Sequence, residues 1–339
     1  MKKPVEKEIT SQVALCDSQG RLNADAVGWS RFPLHTCNVK GHWPRKKKWN
    51  YWGVMSEKFF FSVTMANIDY IGLASVYFID FETMKLEEKN VVVPFGAGFD
   101  MPELVDRDVS FSNKQINLSF KQDPNGVVIK VEMPSFEGKK LSAEAVITRP
   151  AGHETLNVVV PWNTDQFQFT SKQNTMPTAG SVTIGDRKYE FNPESSFAIL
   201  DYGRGVWPYS TKWNWASCSA RKNGKTIGLN LGGMWTDGTG STENGVCLDG
   251  RLYKISEDVR LTYDRSNFMA PWTIVTPDSD TVNLKFTPFF EKKNSMNILF
   301  LKVDGHQMFG KFSGTIKTEA GPVEFDNFQG WAEEHISLW

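Results

Sequence analysis

The segment Gly41-His42-Trp43-Pro44-Arg45-Lys46-Lys47-Lys48-Trp49-Asn50-Tyr51 aligns without gaps on Gly205-Val206-Trp207-Pro208-Tyr209-Ser210-Thr211-Lys212-Trp213-Asn214-Trp215. Six of the eleven positions are identical, a seventh is aromatic in both, and the segments lie 164 residues apart in a chain of 339. Two of the identities are Trp, a residue that seldom matches by chance, and basic Lys40 and Arg204 precede the two copies. Internal duplication explains this spacing: two homologous halves, each with a Trp-Pro loop entering its first strand. Proline fixes φ and removes a donor, so Pro44 and Pro208 suit a loop or a strand edge. Side chains alternate along a strand, so Trp49 and Tyr51 share one face, as do Trp213 and Trp215. Facing inward, each pair would close a barrel core or line its cavity.

Outward from the repeat, short β-rich runs alternate with turn signals. Residues 59–66 and 70–81 are apolar and β-branched or aromatic, with Asn67, Ile68 and Asp69 as the connection. Residues 116–120 reach 127–131 through Asp123-Pro124-Asn125-Gly126. Residues 213–221 reach 226–231 through Asn223-Gly224, a strong type I′ hairpin signal. Asp249-Gly250 and Asp304-Gly305 predict further tight turns, and Glu319-Ala320-Gly321-Pro322 a looser one. No long stretch keeps the 3.6-residue period of a helix. The fold class that follows is all-β, with two calycin-like (lipocalin-like) β-barrel halves related by internal duplication. The break is expected near residue 195, in the polar stretch 192–196, giving an N-terminal half at 1–195 and a C-terminal half at 196–339.

Composition narrows the function classes. The net charge is −1, which gives no reason to expect nucleic acid as a partner. Arg45-Lys46-Lys47-Lys48 between two tryptophans reads as a solvated loop. No apolar run approaches the length of a membrane helix, and the charged opening shows no apolar h-region, so a cytoplasmic protein is expected. Cys16, Cys37, Cys218 and Cys247 are widely spaced, without a Cys-x-x-Cys pair, and predict free buried thiols. Nothing in the spacing of Cys or the five His suggests a metal, and no cofactor is expected. Aromatic residues make up 13% of the chain, enough to wall a wide apolar pocket as well as fill β cores.

The signatures of the common hydrolases are absent. Residues 232–245 form a Gly-rich connection that lacks the Lys-Ser/Thr of a phosphate loop, and fit a flexible loop at a barrel mouth. Asp237 and Glu243 are the acids of that loop, either facing a ligand or solvated. His35 and His42 lie in the loop that leads into the first repeat and could flank a pocket. Asp201 follows an apolar run and precedes Tyr202-Gly203-Arg204-Gly205, read as a tight turn. Cys37 occupies the matching position in the first half, so symmetry does not require this carboxylate. Among aromatic rings it would hold its proton, as a general acid must. An ion pair with Arg204 is the structural alternative.

Gly28-Trp29-Ser30-Arg31-x-Pro33-Leu34, Lys47-Lys48-Trp49-Asn50-Tyr51-Trp52, Asp69-Tyr70-x-Gly72, Trp235-x-Asp237, Thr242-Glu243-Asn244-Gly245 and Gly330-Trp331-Ala332-Glu333 resemble the bacterial family called domain of unknown function 2804. The likeness spans nearly the whole chain and carries no established activity. Asp201-Tyr202-x-x-Gly205 ahead of Trp213 and Trp215 is also similar to a turn of the double lipocalin-like proteins, which include carotenoid hydratases, tocopherol cyclase and fungal Diels–Alder cyclases. Tyr202 stands where the hydratases carry His. This second resemblance implies a fold and a ligand type more than a reaction.

The leading expectation is a protein that binds a hydrophobic or amphipathic small molecule, lipid-like or isoprenoid-like, in a lipocalin-like cavity. Trp43, Trp49, Tyr51, Arg204, Trp207, Trp213, Trp215, Asp237 and Glu243 are its candidate ligand-binding residues. Two alternatives stand beside it. One is a cofactor-independent hydratase, isomerase or cyclase, with Asp201 as general acid and Tyr202 as its partner. The other is an interaction module that docks a protein through its Trp-rich loops. The sequence leaves oligomeric state open.

Overall fold

The computed structural model describes residues 6–298 and 301–339; the first five residues of the charged opening lie outside that range. Val13–Ala14 (β1), Trp29–Ser30 (β2) and His35–Thr36 (β3) are short strands of the N-terminal segment. A meander follows, of Lys46–Met55 (β4), Phe59–Asn67 (β5), Ile71–Asp80 (β6) and Lys85–Pro94 (β7). Val109–Ser112 (β8), Asn117–Asp123 (β9), Gly126–Phe136 (β10) and Lys139–Thr148 (β11) come next. Leu156–Pro161 (β12), Phe167–Ile184 (β13), Arg187–Phe191 (β14) and Phe197–Val206 (β15) complete the first sheet.

The second sheet opens with its own meander: Ser210–Lys222 (β16), Lys225–Gly233 (β17), Asn244–Leu248 (β18) and Arg251–Ile255 (β19). Arg260–Thr262 (β20), Trp272–Val275 (β21), Val282–Ile298 (β22), Leu301–Thr318 (β23) and Gly321–Leu338 (β24) follow. The strand orders are β7-β6-β5-β4-β15-β13-β11-β10-β9-β8 and β19-β18-β17-β16-β24-β23-β22-β21-β20. In both, a four-strand meander is closed by the last strand of the half, β15 beside β4 and β24 beside β16. β4 and β16 are therefore equivalent, and Trp49 and Trp213 occupy corresponding strands. The protein is nearly all β, in two curled half-barrel sheets that match two lipocalin-like halves.

Turn chemistry accounts for many of the hairpins. Asn223 and Gly224 both take positive φ, 54° and 75°, as a type I′ turn requires. Asp249 and Gly250 do the same at 48° and 80°. Three expectations need correction. Asp304-Gly305 is not a turn: it lies inside β23, opposite Ile336 and His335, and the His335 ring occupies the space a Cβ at Gly305 would take. The looser turn at 319–322 is a two-residue connection, Glu319-Ala320, because Thr318 already pairs with Gly321. The polar stretch 192–196 is a turn between β14 and β15, both hydrogen-bonded to β13, so the change of sheet comes after Val206.

Each sheet buries both faces. On β4, Trp52 and Val54 enter the core of the first half, while Met55 belongs to a separate apolar cluster shared by the two sheets. On β16, Ala216 and Cys218 enter the second core, while Trp215 joins Phe60 and Trp331 in the shared cluster. The interior of each half is thus packed with apolar side chains. Trp49, Tyr51, Trp213 and Trp215 point away from those interiors and toward the opposite sheet.

Candidate functional site

Between the two sheets lies a cavity of about 530 Å³. Its walls come from alternate residues of both halves: Trp49 and Tyr51 of β4, Thr170 and Lys172 of β13, Asp201 of β15, Trp213 and Trp215 of β16, Glu333 and His335 of β24. The cavity thus lies at the junction of the halves and not inside either barrel, because the barrel-facing residues are already packed. Glycine on β15 makes the room. A Cβ at Gly203 would lie 2.2 Å from the Trp49 ring, so only glycine lets the indole lie flat across β15.

One end of the cavity holds a buried charge cluster. Lys172 and Asp201 are register partners on β13 and β15, and Nζ sits 3.0 Å from Oδ2. The same ammonium lies 3.3 Å from Glu243 Oε2 and 4.0 Å from the centre of the Trp215 ring. Thr170 donates to Asp201 Oδ1 at 3.2 Å, and the Trp235 indole donates to Glu243 Oε1 at 2.9 Å. Gly232 gives the Glu243 carboxyl its space. Burial opposes the charge on Lys172, but the two carboxylates outweigh it and hold its pKa above the ordinary value. Burial pushes Glu243 up, against the pull of Lys172.

Glu333 completes the cluster. Burial pushes its pKa up to about 8, with Asp201 and Glu243 adding to the rise, while the Trp213 indole N–H and Lys172 pull the other way. That N–H donates to Oε1 at 3.1 Å. At neutral pH Glu333 is therefore a neutral carboxylic acid facing the cavity. His335, two residues on, stacks on Trp213 with ring centres 4.8 Å apart. Burial, helped by Lys292, drops its pKa to about 3, so the imidazole is neutral too.

A second polar group lies toward the β22–β23 side. Tyr51 and Tyr77 share a hydrogen bond of 2.8 Å, and Tyr77 donates to Gln307 Oε1 at 2.9 Å. Lys292 pairs with Glu88 at 3.2 Å and lies over the Tyr77 ring.

Of the residues singled out from sequence, Trp49, Tyr51, Asp201, Trp207, Trp213, Trp215 and Glu243 line this cavity. Four do not. Trp43 is 66% exposed in its loop. Tyr202 and Arg204 follow Asp201 on the same strand at odd spacing, so they point into the first core. There Tyr202 donates to the Pro102 carbonyl, and Arg204 donates to Asn50 Oδ1 and the Trp49 carbonyl. The supposed turn at 201–205 is continuous strand, which rules out Tyr202 as a partner of Asp201 and Arg204 as its counter-ion. Asp237 is exposed and accepts from the Met234 N–H. His35 and His42 bind backbone carbonyls of Ala26 and Gly20.

The basic run is not a solvated loop either. Lys46, Lys47 and Lys48 begin β4, and Lys47 is fully buried over the rings of Tyr70 and Trp339, its pKa lowered by burial to about 8. Sequence reasoning missed Lys172, Trp235, Lys292, Glu333 and His335. Trp235 and Glu333 stood inside stretches already recognised for their family likeness.

Among the described residues no group of three His, Cys, Asp or Glu converges to hold a metal ion, and no helix is long and apolar enough to cross a membrane. The four cysteines are free and buried.

No curated protein matches the chain. Among solved structures, that of CghA with Sch210972 is similar at 11% identity and a TM-score of 0.52, covering 87% of this chain and 88% of that one. Kievitone hydratase from Nectria haematococca covers 99% of this chain and 98% of its own at 11% identity, with a TM-score of 0.47. At such identity the CghA likeness speaks for the fold alone. The model of the domain of unknown function DUF2804 matches residues 6–339, so the chain belongs to that family.

Proposed function

We propose that this protein is an enzyme that takes an apolar or amphipathic small molecule between its two sheets and transforms it by proton transfer, without a cofactor. Cofactor-independent hydratases, isomerases and cyclases work in this way. The observation that supports the reading is the gathering of two buried carboxyl groups, a half-buried third and one buried ammonium at the end of a cavity walled by tryptophan. Burying ionisable groups costs folding free energy that apolar residues of similar volume would not. Such clusters gather at sites where a shifted pKa has a task.

Glu333 is the acid in this reading. It is protonated at neutral pH, faces the cavity and has its orientation held by the Trp213 N–H. An acid whose pKa lies near the working pH both keeps its proton and releases it readily. Asp201 takes the supporting role: with Glu243 it anchors Lys172. The indoles of Trp49, Trp207, Trp213, Trp215 and Trp235 exclude water and suit a flat or unsaturated apolar body.

The test is incubation with a bacterial lipid extract in deuterated buffer, followed by mass spectrometry. Wild-type protein is expected to place solvent deuterium on a carbon of at least one extracted molecule. Glu333→Gln keeps the shape and removes the acid, and should slow the labelling by about 100-fold or more. A molecule retained tightly but never labelled would make the protein a carrier and overturn the enzyme reading.

A further inference from the structure

The cavity has a sign. Aromatic faces carry the negative side of the ring quadrupole and attract cations within about 6 Å. The cluster already shows such a pair, with the Lys172 ammonium 4.0 Å from the Trp215 ring centre. Yet that ammonium is held by both Asp201 and Glu243. The other buried lysine at the cavity, Lys292, is held by Glu88 at 3.2 Å. Among the described residues, no Lys or Arg pairs with Glu333; its near neighbours are the Trp213 N–H and the neutral imidazole of His335 at 3.7 Å. A carboxyl without a cation, beside several indole faces and open space, is an incomplete ion pair.

We infer that this cavity is built to hold positive charge on its ligand, and that it prefers amphiphiles bearing an ammonium or similar cationic centre to neutral or anionic ones of the same size, with Glu333 as counter-ion. The inference rests on the proposed function for its catalytic meaning. There, the Glu333 O–H bond breaks and a new bond to hydrogen forms on the ligand, from an electron pair the ligand supplies. The products are a carboxylate and a cation, and the net charge of the site is unchanged. A permanent ammonium copies the charged product of that step. It also leaves the Glu333 proton with nowhere to go but solvent. The charged and titratable groups facing Glu333 are Lys172 on β13, Asp201 on β15, Glu243 before β18, Lys292 on β22 and His335 on β24, with Tyr51 and Tyr77 across the cavity. Asp201 and Glu243 are both engaged with Lys172, so the departing proton passes to the buffer.

The experiment compares decyltrimethylammonium, decanol and decanoate below their micelle concentrations, by tryptophan fluorescence and by calorimetry in two buffers of different ionisation enthalpy. Decyltrimethylammonium is expected to bind about 10-fold or more tighter than decanol, with decanoate weakest. About one proton should leave per ammonium bound at pH 7. Trp49→Leu keeps the wall apolar but removes one ring face, and should weaken the ammonium more than decanol, so narrowing the ammonium advantage. The wild-type series and the proton count stand without that variant. Equal binding of decanol and the ammonium, or tighter binding of decanoate, would overturn the charge preference while leaving an apolar ligand site in place. Binding of none of the three would overturn the ligand site itself, and with it the proposed function.

Discussion

Lys172 and Asp201 sit directly opposite each other on β13 and β15, with ammonium and carboxylate 3.0 Å apart and both side chains turned toward the second sheet. The pair is placed by strand register alone, and Glu243 reaches it from the other half. The two sheets are therefore joined by charge as well as by aromatic packing.

Removing the cation should expose what that junction costs. Lys172→Met leaves Asp201 and Glu243 buried without their partner, which typically costs about 3–5 kcal/mol. Urea unfolding should show a loss of that order. A loss under about 1 kcal/mol would mean that the pair behaves like a surface ion pair and that the site is wetter than its burial implies.

Glu333 gives a pH-dependent signature of stability. Its pKa is about 8 in the folded chain against an ordinary 4.5. Between those values the folded chain keeps a proton that the unfolded chain releases, so stability falls as pH rises, by up to about 1.4 kcal/mol per unit. Glu333→Gln lacks that slope. The melting temperature of the variant relative to wild type should climb from about pH 5 to about pH 8 and level off above. Parallel curves across that window would show that Glu333 titrates normally.

The duplication and many of the hairpins were legible because they depend on local chemistry. Asn223-Gly224 and Asp249-Gly250 demand positive φ wherever they occur, and the repeated Trp-Pro segments preserve a spacing that folding does not scramble. The polar half of the site was not legible. Lys172 stands in the polar run Thr170-Ser171-Lys172-Gln173-Asn174, and Glu333 and His335 flank Glu334, so all three read as solvent-facing strand residues. Only the docking of the second sheet makes that face dry, and no local signal announces it. Asp201 was found, but Tyr202 and Arg204 were wrongly grouped with it, because a turn was read where the chain runs straight. On a strand, adjacent residues cannot share a site. Asp304-Gly305 misled for the complementary reason: that glycine clears space for the His335 ring, a tertiary demand that looks like a turn from sequence.

The cysteines offer a check on the packing of both cores. Burial pushes the Cys16 and Cys37 thiols up to about 12 and Cys247 to about 11, and raises Cys218 as well. Thiolate is the reactive form, so all four should resist a thiol reagent in the native protein. Denaturation without reductant should release four reactive thiols. Rapid native labelling would contradict the buried placement, and fewer than four on denaturation would reveal a disulfide.

The proposed chemistry requires Glu333 to stand protonated in the inter-sheet cavity at neutral pH, ready to give its proton away. Infrared difference spectroscopy between wild type and Glu333→Gln reads this directly, through the carbonyl stretch of a protonated carboxyl. The band lost in the variant is expected to be present in wild type at pH 7 and to disappear on raising the pH, with a midpoint at about 8. A wild-type spectrum at pH 7 with no such difference, showing Glu333 already a carboxylate, would contradict it.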